Sequence, residues 1–180
     1  MNRDLSNKFQ TLHEIVHAAH ETLSQNIWDY LRGGTETETT LKRNRMALDA
    51  IALRPRVLRD MRKIDATKVI LGKKLRLPVC LAPIGSLESF DPKGGVAAMR
   101  AATEFGCGLM LSSVSQLSME EVSSAGDGLK MAMLYKRGDN RFLDNYVSRA
   151  IDSGYDAFCL TVDSANSVSY THLTLPTSSQ

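Results

Sequence analysis

Residues 109–135 read LMLSSVSQLSMEEVSSAGDGLKMAMLY, and they hold a complete strand–helix–strand unit. Leu109 to Ser112 is a short apolar run that ends in hydroxyls, and Leu129 to Tyr135 is a second that ends in a phenol. Between them Ser118 and Glu121 stand at capping-box spacing, which opens a helix running to Ser124. A strand, a helix and a strand packed this closely predict a βαβ crossover and a parallel sheet.

The same alternation extends both ways. Upstream, Leu77 to Ala82 reads as a strand and Pro92 to Phe105 as a helix closed by Gly106; Gly94-Gly95 is a helix-start turn. Downstream, Arg141 to Ser153 reads as a helix closed by Gly154, and Ala157 to Val162 as a strand. Four strands and three helices fit either a small doubly wound sheet or half of an eight-stranded barrel. Both place ligands at the strand C-termini, which here carry Pro83-Ile84-Gly85, Ser112-Ser113, Tyr135, Thr161 and Asp163.

Before this region the period is helical. Leu12, Ile15, Val16, Ala19, Leu23, Ile27 and Leu31 predict an amphipathic helix, with a break near Ser24-Gln25 and an end at Gly33-Gly34. A second helix opens in 37–40 and runs to about Ala50, with Glu36 and Glu38 at the positive end of its dipole. Arg54 to Leu58 is an extended crossing, since proline biases its predecessor away from helix. Met46, Met99, Met110 and Met131 are expected to fill core space.

With 43% apolar and 23% charged residues, the chain has globular composition. Its net charge of +2 gives no basis for binding nucleic acid. No apolar run approaches the ~20 residues of a membrane span, and the polar start from Met1 to Ser6 lacks a secretion signal's apolar core. Cys80, Cys107 and Cys159 are odd in number and scattered, as expected of free thiols in a reducing compartment, so cytoplasm is the expected location.

The ordered series Trp28-Asp29-Tyr30, Gly33-Gly34, Thr40-Leu41, Arg43-Asn44-Arg45, Arg54-Pro55-Arg56-Val57-Leu58, Leu71-Gly72, Leu77-Pro78, Leu81-Ala82-Pro83, Leu111-Ser112-Ser113, Glu120-Glu121-Val122, Leu134-Tyr135 and Leu160-Thr161-Val162-Asp163 resembles the FMN-dependent α-hydroxy-acid dehydrogenases and oxidases. It covers residues 10–166. The resemblance implies an α/β fold, the N-terminal half of a (β/α)8 TIM barrel preceded by a helical segment. It divides the chain into a helical segment and barrel lead-in (1–74) and the first four βα units (75–166). It also implies FMN as cofactor, a small (S)-2-hydroxy acid oxidised to a 2-oxo acid, and a homo-oligomeric whole protein. The electron acceptor stays open between oxygen, a quinone and a cytochrome.

Position by position, Tyr30 resembles the tyrosine that binds the substrate carboxylate, and Tyr135 the second active-site tyrosine. Pro83, Ile84 and Gly85 match the stretch whose backbone lies against the isoalloxazine, with Ile84 where the family has threonine. Ser112 and Thr161 match flavin-bonding hydroxyls. Met133 stands where the family has a glutamine beside the flavin, and a thioether donates no hydrogen bond. The family's catalytic histidine, its carboxylate-binding arginines and its phosphate loops are expected beyond Asp163, so the chain as written is expected to be inactive. Residues 167–180, with Val168 to Thr177 at their centre, resemble a sequencing-library adapter read in frame and are expected to be an artefact; Tyr170 and His172 are given no role.

Two other readings fit parts of the sequence. His13-Glu14-Ile15-Val16-His17 has zinc-protease spacing, two histidines one helical turn apart with a glutamate between. His20 stands where the extended motif wants glycine, and no third ligand is evident, so a solvated helix face is expected instead. A non-catalytic binding protein on the same flavin barrel is the other alternative, since fold alone does not specify chemistry.

Overall fold

The computed structural model describes residues 9–136 and 138–162. Asp163 and the 167–180 tail lie outside the described residues. The chain divides into two compact units, one ending at Val57 and the other beginning at Leu58.

In the first unit α1 (Leu12–Thr22) and α2 (Gln25–Arg32) are separated at Leu23-Ser24, where the sequence predicts the break. Gly33 caps α2, its N–H donating to the Asp29 carbonyl. The His20 and Trp28 rings meet at 4.5 Å across the bend. α3 (Thr39–Asp49) follows. Glu38 is its N-cap residue, at the positive end of the dipole as the sequence predicts; Glu36 and Glu38 both have positive φ, and the Glu38 carboxylate accepts from the Gly34 N–H at 3.1 Å with no side-chain bond to its own helix. Met46, expected to fill a core, is 70% exposed, because α3 buries no residue.

The second unit opens with a hairpin, β1 (Lys68–Ile70) and β2 (Lys73–Leu75), paired antiparallel with Ile70 opposite Lys73. Leu71 and Gly72 between them both have positive φ, as a type I′ turn requires. Four parallel strands follow: β3 (Cys80–Leu81), β4 (Gly108–Ser112), β5 (Lys130–Tyr135) and β6 (Ala157–Thr161). The first is shorter than the sequence suggests. Among the described residues it has a strand partner on one side only, and Pro78 and Pro83 flank it with no N–H to give.

The connecting helices are α4 (Gly94–Phe105), α5 (Met119–Ser124) and α6 (Asn140–Asp152). Each is stopped or started as its sequence dictates. Gly106, at φ 86°, closes α4; the Ser118–Glu121 capping box opens α5; the Asp139 carboxylate accepts from Phe142 N–H at 3.0 Å to open α6.

Strand order settles the architecture. The sheet runs β3-β4-β5-β6, spatial order equal to chain order. A doubly wound sheet reverses direction from an internal first strand and carries helices on both faces; here all three helices share one face. Met99 and Ala102 of α4, Val122 of α5 and Tyr146 and Ala150 of α6 pack with Leu109, Leu111, Ala132 and Leu134 in one core. The fold is the N-terminal part of a (β/α)8 barrel, and the opposite sheet face is the barrel interior.

Candidate functional site

Alternation along the strands assigns the inner face. Leu109, Leu111, Ala132 and Leu134 point to the helices, so Met110, Ser112, Met131, Met133 and Tyr135 point inward. On β6 Phe158 meets the Tyr146 ring at 6.5 Å on the helix side, which turns Cys159 and Thr161 inward. Near the strand N-termini Gly108 lies between Cys80 and Leu129; a Cβ there would stand 2.6 Å from Cys80 Sγ.

Register then aligns the candidate residues. Ser112, Met133 and Cys159 form one inward row, and Tyr135 pairs with Thr161 one step nearer the C-terminal rim. Ser112 and Met133 are each only 2% exposed. The Ser112 hydroxyl oxygen accepts from Val114 N–H at 3.2 Å, which leaves its own proton to donate. The Met133 carbonyl accepts from both Ser113 N–H, at 2.9 Å, and the Tyr146 hydroxyl, at 3.0 Å. Ser113 Oγ takes Tyr135 N–H at 3.2 Å, tying the ends of β4 and β5 together.

The loop after β3 lies beside this row. Ile84 N–H reaches back to the Ala82 carbonyl at 2.9 Å, and Ser86, with φ 54°, donates its N–H to Val114 O at 2.9 Å. A Cβ on Gly85 would lie 3.4 Å from Val114 Cβ and 3.9 Å from Ser112 Oγ, so the backbone at Gly85 comes close to the strand-end hydroxyl. Pro83, Ile84, Gly85, Ser112, Tyr135 and Thr161 thus gather at one end of the sheet. Tyr30 lies on α2 in the first unit, 48% exposed.

Sequence reasoning missed Glu88. It sits in a short 3-10 helix, Leu87–Ser89, and its carboxylate collects Ser115 Oγ at 2.9 Å, Gln116 N–H at 3.0 Å and Gly95 N–H at 3.4 Å. Its partners are up to 28 residues away, so no local pattern marks it.

The opposite end of the sheet is closed by the hairpin. Lys73 Nζ pairs with Asp156 at 3.0 Å and donates to the carbonyls of Asp127 (3.2 Å) and Gly128 (3.0 Å), in the loops that enter β5 and β6. This end is built for cohesion, and the hydroxyls gather at the other.

The zinc-type spacing on α1 builds no site. The Glu14 carboxylate accepts from Gln10 N–H at 2.6 Å, and His17 faces Glu21 at 3.5 Å. Among the described residues no group of three or more His, Cys, Asp or Glu is placed to hold a metal ion. The hollow bordered by His13, Glu14, His17 and Glu21 is the exposed flank of one helix.

Parallel strands in chain order with their helices on one face define a βα-barrel protein, with hydroxyls at the inner C-terminal rim. The sequence profile of the FMN-dependent dehydrogenase family matches residues 19–171, and the chain belongs to that family. It is 40% identical over 145 residues to glycolate oxidase 1 of Oryza sativa subsp. indica, and 39% identical to glycolate oxidase of Spinacia oleracea. Each match covers 81% of this chain and 39% of the relative. Crystal structures of mandelate oxidase superpose with a TM-score of 0.80 at 34% identity, over 86% of this chain. One mandelate oxidase structure, at TM-score 0.77 and 34% identity over 83% of this chain and 45% of that one, holds a C4a-OH-FMN adduct. The chain therefore spans under half the length of the relatives it matches. No helix among the described residues is long and apolar enough to cross a membrane.

Proposed function

We propose that this chain forms the first four βα units of an FMN-dependent enzyme that oxidises an (S)-2-hydroxy acid to a 2-oxo acid. The observation that carries the reading is the inner rim: a buried Ser112 with a proton free to donate, beside the closely approached backbone of Gly85. A flat, electron-accepting ring needs just these features, a thin backbone wall and donors at its polar edge.

The residues present fit one side of FMN. Pro83, Ile84 and Gly85 would lie along the ring, while Ser112 and Thr161 would donate to its heteroatoms. The bound cofactor would supply the acceptor for the hydride equivalent. Tyr135 would orient the substrate carboxylate from this rim, since a phenol donates without adding negative charge; for Tyr30 the same role is what the family resemblance implies. Taking the substrate's proton falls to a histidine, and neutralising its carboxylate to arginines, supplied by barrel units beyond this chain.

The relatives named above are oxidases, which favours oxygen as the final electron acceptor. Cys80, Cys107 and Cys159 are free, and a reducing compartment such as the cytoplasm suits them. A homo-oligomer is the expected assembly of the full-length protein.

The test is anaerobic mixing of the purified full-length protein with small (S)-2-hydroxy acids. One FMN per chain, bleached by substrate and restored by air, supports the proposal. Bound FMN that no hydroxy acid reduces would favour a non-catalytic flavin barrel, and absence of FMN would overturn the reading.

A further inference from the structure

We propose that Glu88 is the positioning residue of the flavin-facing rim, clamping the Pro83–Gly85 loop to the loop after β4 and to the start of α4. The inference rests on the flavin reading above and adds to it a residue that touches neither cofactor nor substrate.

Three segments converge on this one carboxylate. Glu88 follows the Pro83–Gly85 loop by three residues. Oε1 accepts from Ser115 Oγ and from Gly95 N–H in the first turn of α4, and Oε2 accepts from Gln116 N–H. The Ser86 N–H bond to Val114 O is a second tie between the same two loops. Together they fix the separation between Gly85 and Ser112, which is where the ring would be received. Gly94 belongs to the arrangement, because a Cβ there would collide with Glu88 Oε1.

The donor set demands a carboxylate. Both backbone N–H groups are fixed donors, one aimed at each oxygen, and only the Ser115 hydroxyl can reverse its role. A glutamine of the same shape would set its NH2 against Gln116 N–H in one orientation and against Gly95 N–H in the other. Burial pushes the Glu88 carboxyl up, but hydrogen bonds from Gln116, from its own N–H, from Ser115 and from Gly95 outweigh that and hold it below its ordinary range. The group is therefore an acceptor on both oxygens at neutral pH. Its place beside the α4 N-terminus favours the same charged form.

The test uses the full-length protein as wild type, Glu88→Gln and Ser115→Ala, titrated with FMN and read by flavin fluorescence and visible circular dichroism. Glu88→Gln is expected to weaken FMN binding about tenfold or more and to alter the flavin dichroism, since it costs a charge-assisted hydrogen bond at the rim. Ser115→Ala leaves both backbone donors on the carboxylate and gives a smaller loss. A Glu88→Gln protein that binds FMN within about twofold of wild type, with the same dichroism, overturns the inference whatever its stability. If that variant does not fold, Ser115→Ala decides, and unchanged affinity and dichroism overturn it. A wild type that binds no FMN overturns the flavin reading itself, and this inference with it.

Discussion

Met133→Gln would place the family's amide where this chain has a thioether, and the structure fixes what it should do. Met133 is 2% exposed, in an inward row with Ser112 on one side and Cys159 on the other. Its own carbonyl is already taken by Ser113 and Tyr146. A carboxamide of similar volume brings one acceptor and two N–H donors. Ser112 still has a proton to give, so the acceptor can be satisfied. The donors have no evident partner in the row, and an unpaired buried donor costs about 1–3 kcal/mol. Without FMN the variant should therefore melt lower, by roughly 2–4 °C per kcal/mol for a protein of 150–250 residues and by less per kcal/mol in a longer chain. With FMN the ring's acceptors receive the amide, and binding should tighten by about tenfold, near 1.4 kcal/mol. Thermal melts without cofactor and fluorescence titration with FMN, both on full-length protein, measure the two halves. A variant as stable as wild type whose FMN affinity is unchanged would refute the placement of Met133 at the cofactor.

Two further predictions concern the scaffold. Arg149 donates to both carboxylate oxygens of Glu120 at 2.8 Å, and that hydrogen bond, aided by a backbone one, holds the Glu120 carboxyl down at about 2. Its folded value lies below the ordinary 4.5, so the pair stabilises fully above 4.5 and the contribution disappears as pH falls to about 2. Urea midpoints of wild type and Glu120→Gln should differ at neutral pH and converge through that window; because both side chains are half exposed, added salt should narrow the gap. A gap independent of pH contradicts this. Gly108→Ala puts a methyl 2.6 Å from Cys80 Sγ and 3.1 Å from Leu129 Cδ2, an overpacking cost of about 1–3 kcal/mol. Adding Cys80→Ala should recover part of the lost melting temperature, and simple additivity of the two changes would contradict the inward placement of Cys80.

What was readable in the sequence was local or periodic. The Ser118–Glu121 capping box, the Gly106 stop of α4 and the break between α1 and α2 rest on contacts a few residues apart, and each stands where the pattern placed it. The β1–β2 hairpin was not readable. Its strands are three residues each, too short for alternation to register, and its turn puts Leu71 where asparagine or glycine would have signalled positive φ. Glu88 was invisible for a different reason: its meaning lies in Ser115 and Gln116, which only the pairing of β3 with β4 brings to it. The choice between doubly wound sheet and barrel was likewise open to periodicity, and spatial strand order resolves it.

FMN is proposed to bind at the C-terminal ends of β3 to β6. Hydrogen–deuterium exchange of the full-length protein with and without FMN tests this most directly. Slowed exchange in 82–90, 110–116, 133–136 and 159–162, with the hairpin at 68–75 unaffected, is the predicted result. Protection confined to the hairpin end, or none at all in these segments at saturating FMN, would contradict it.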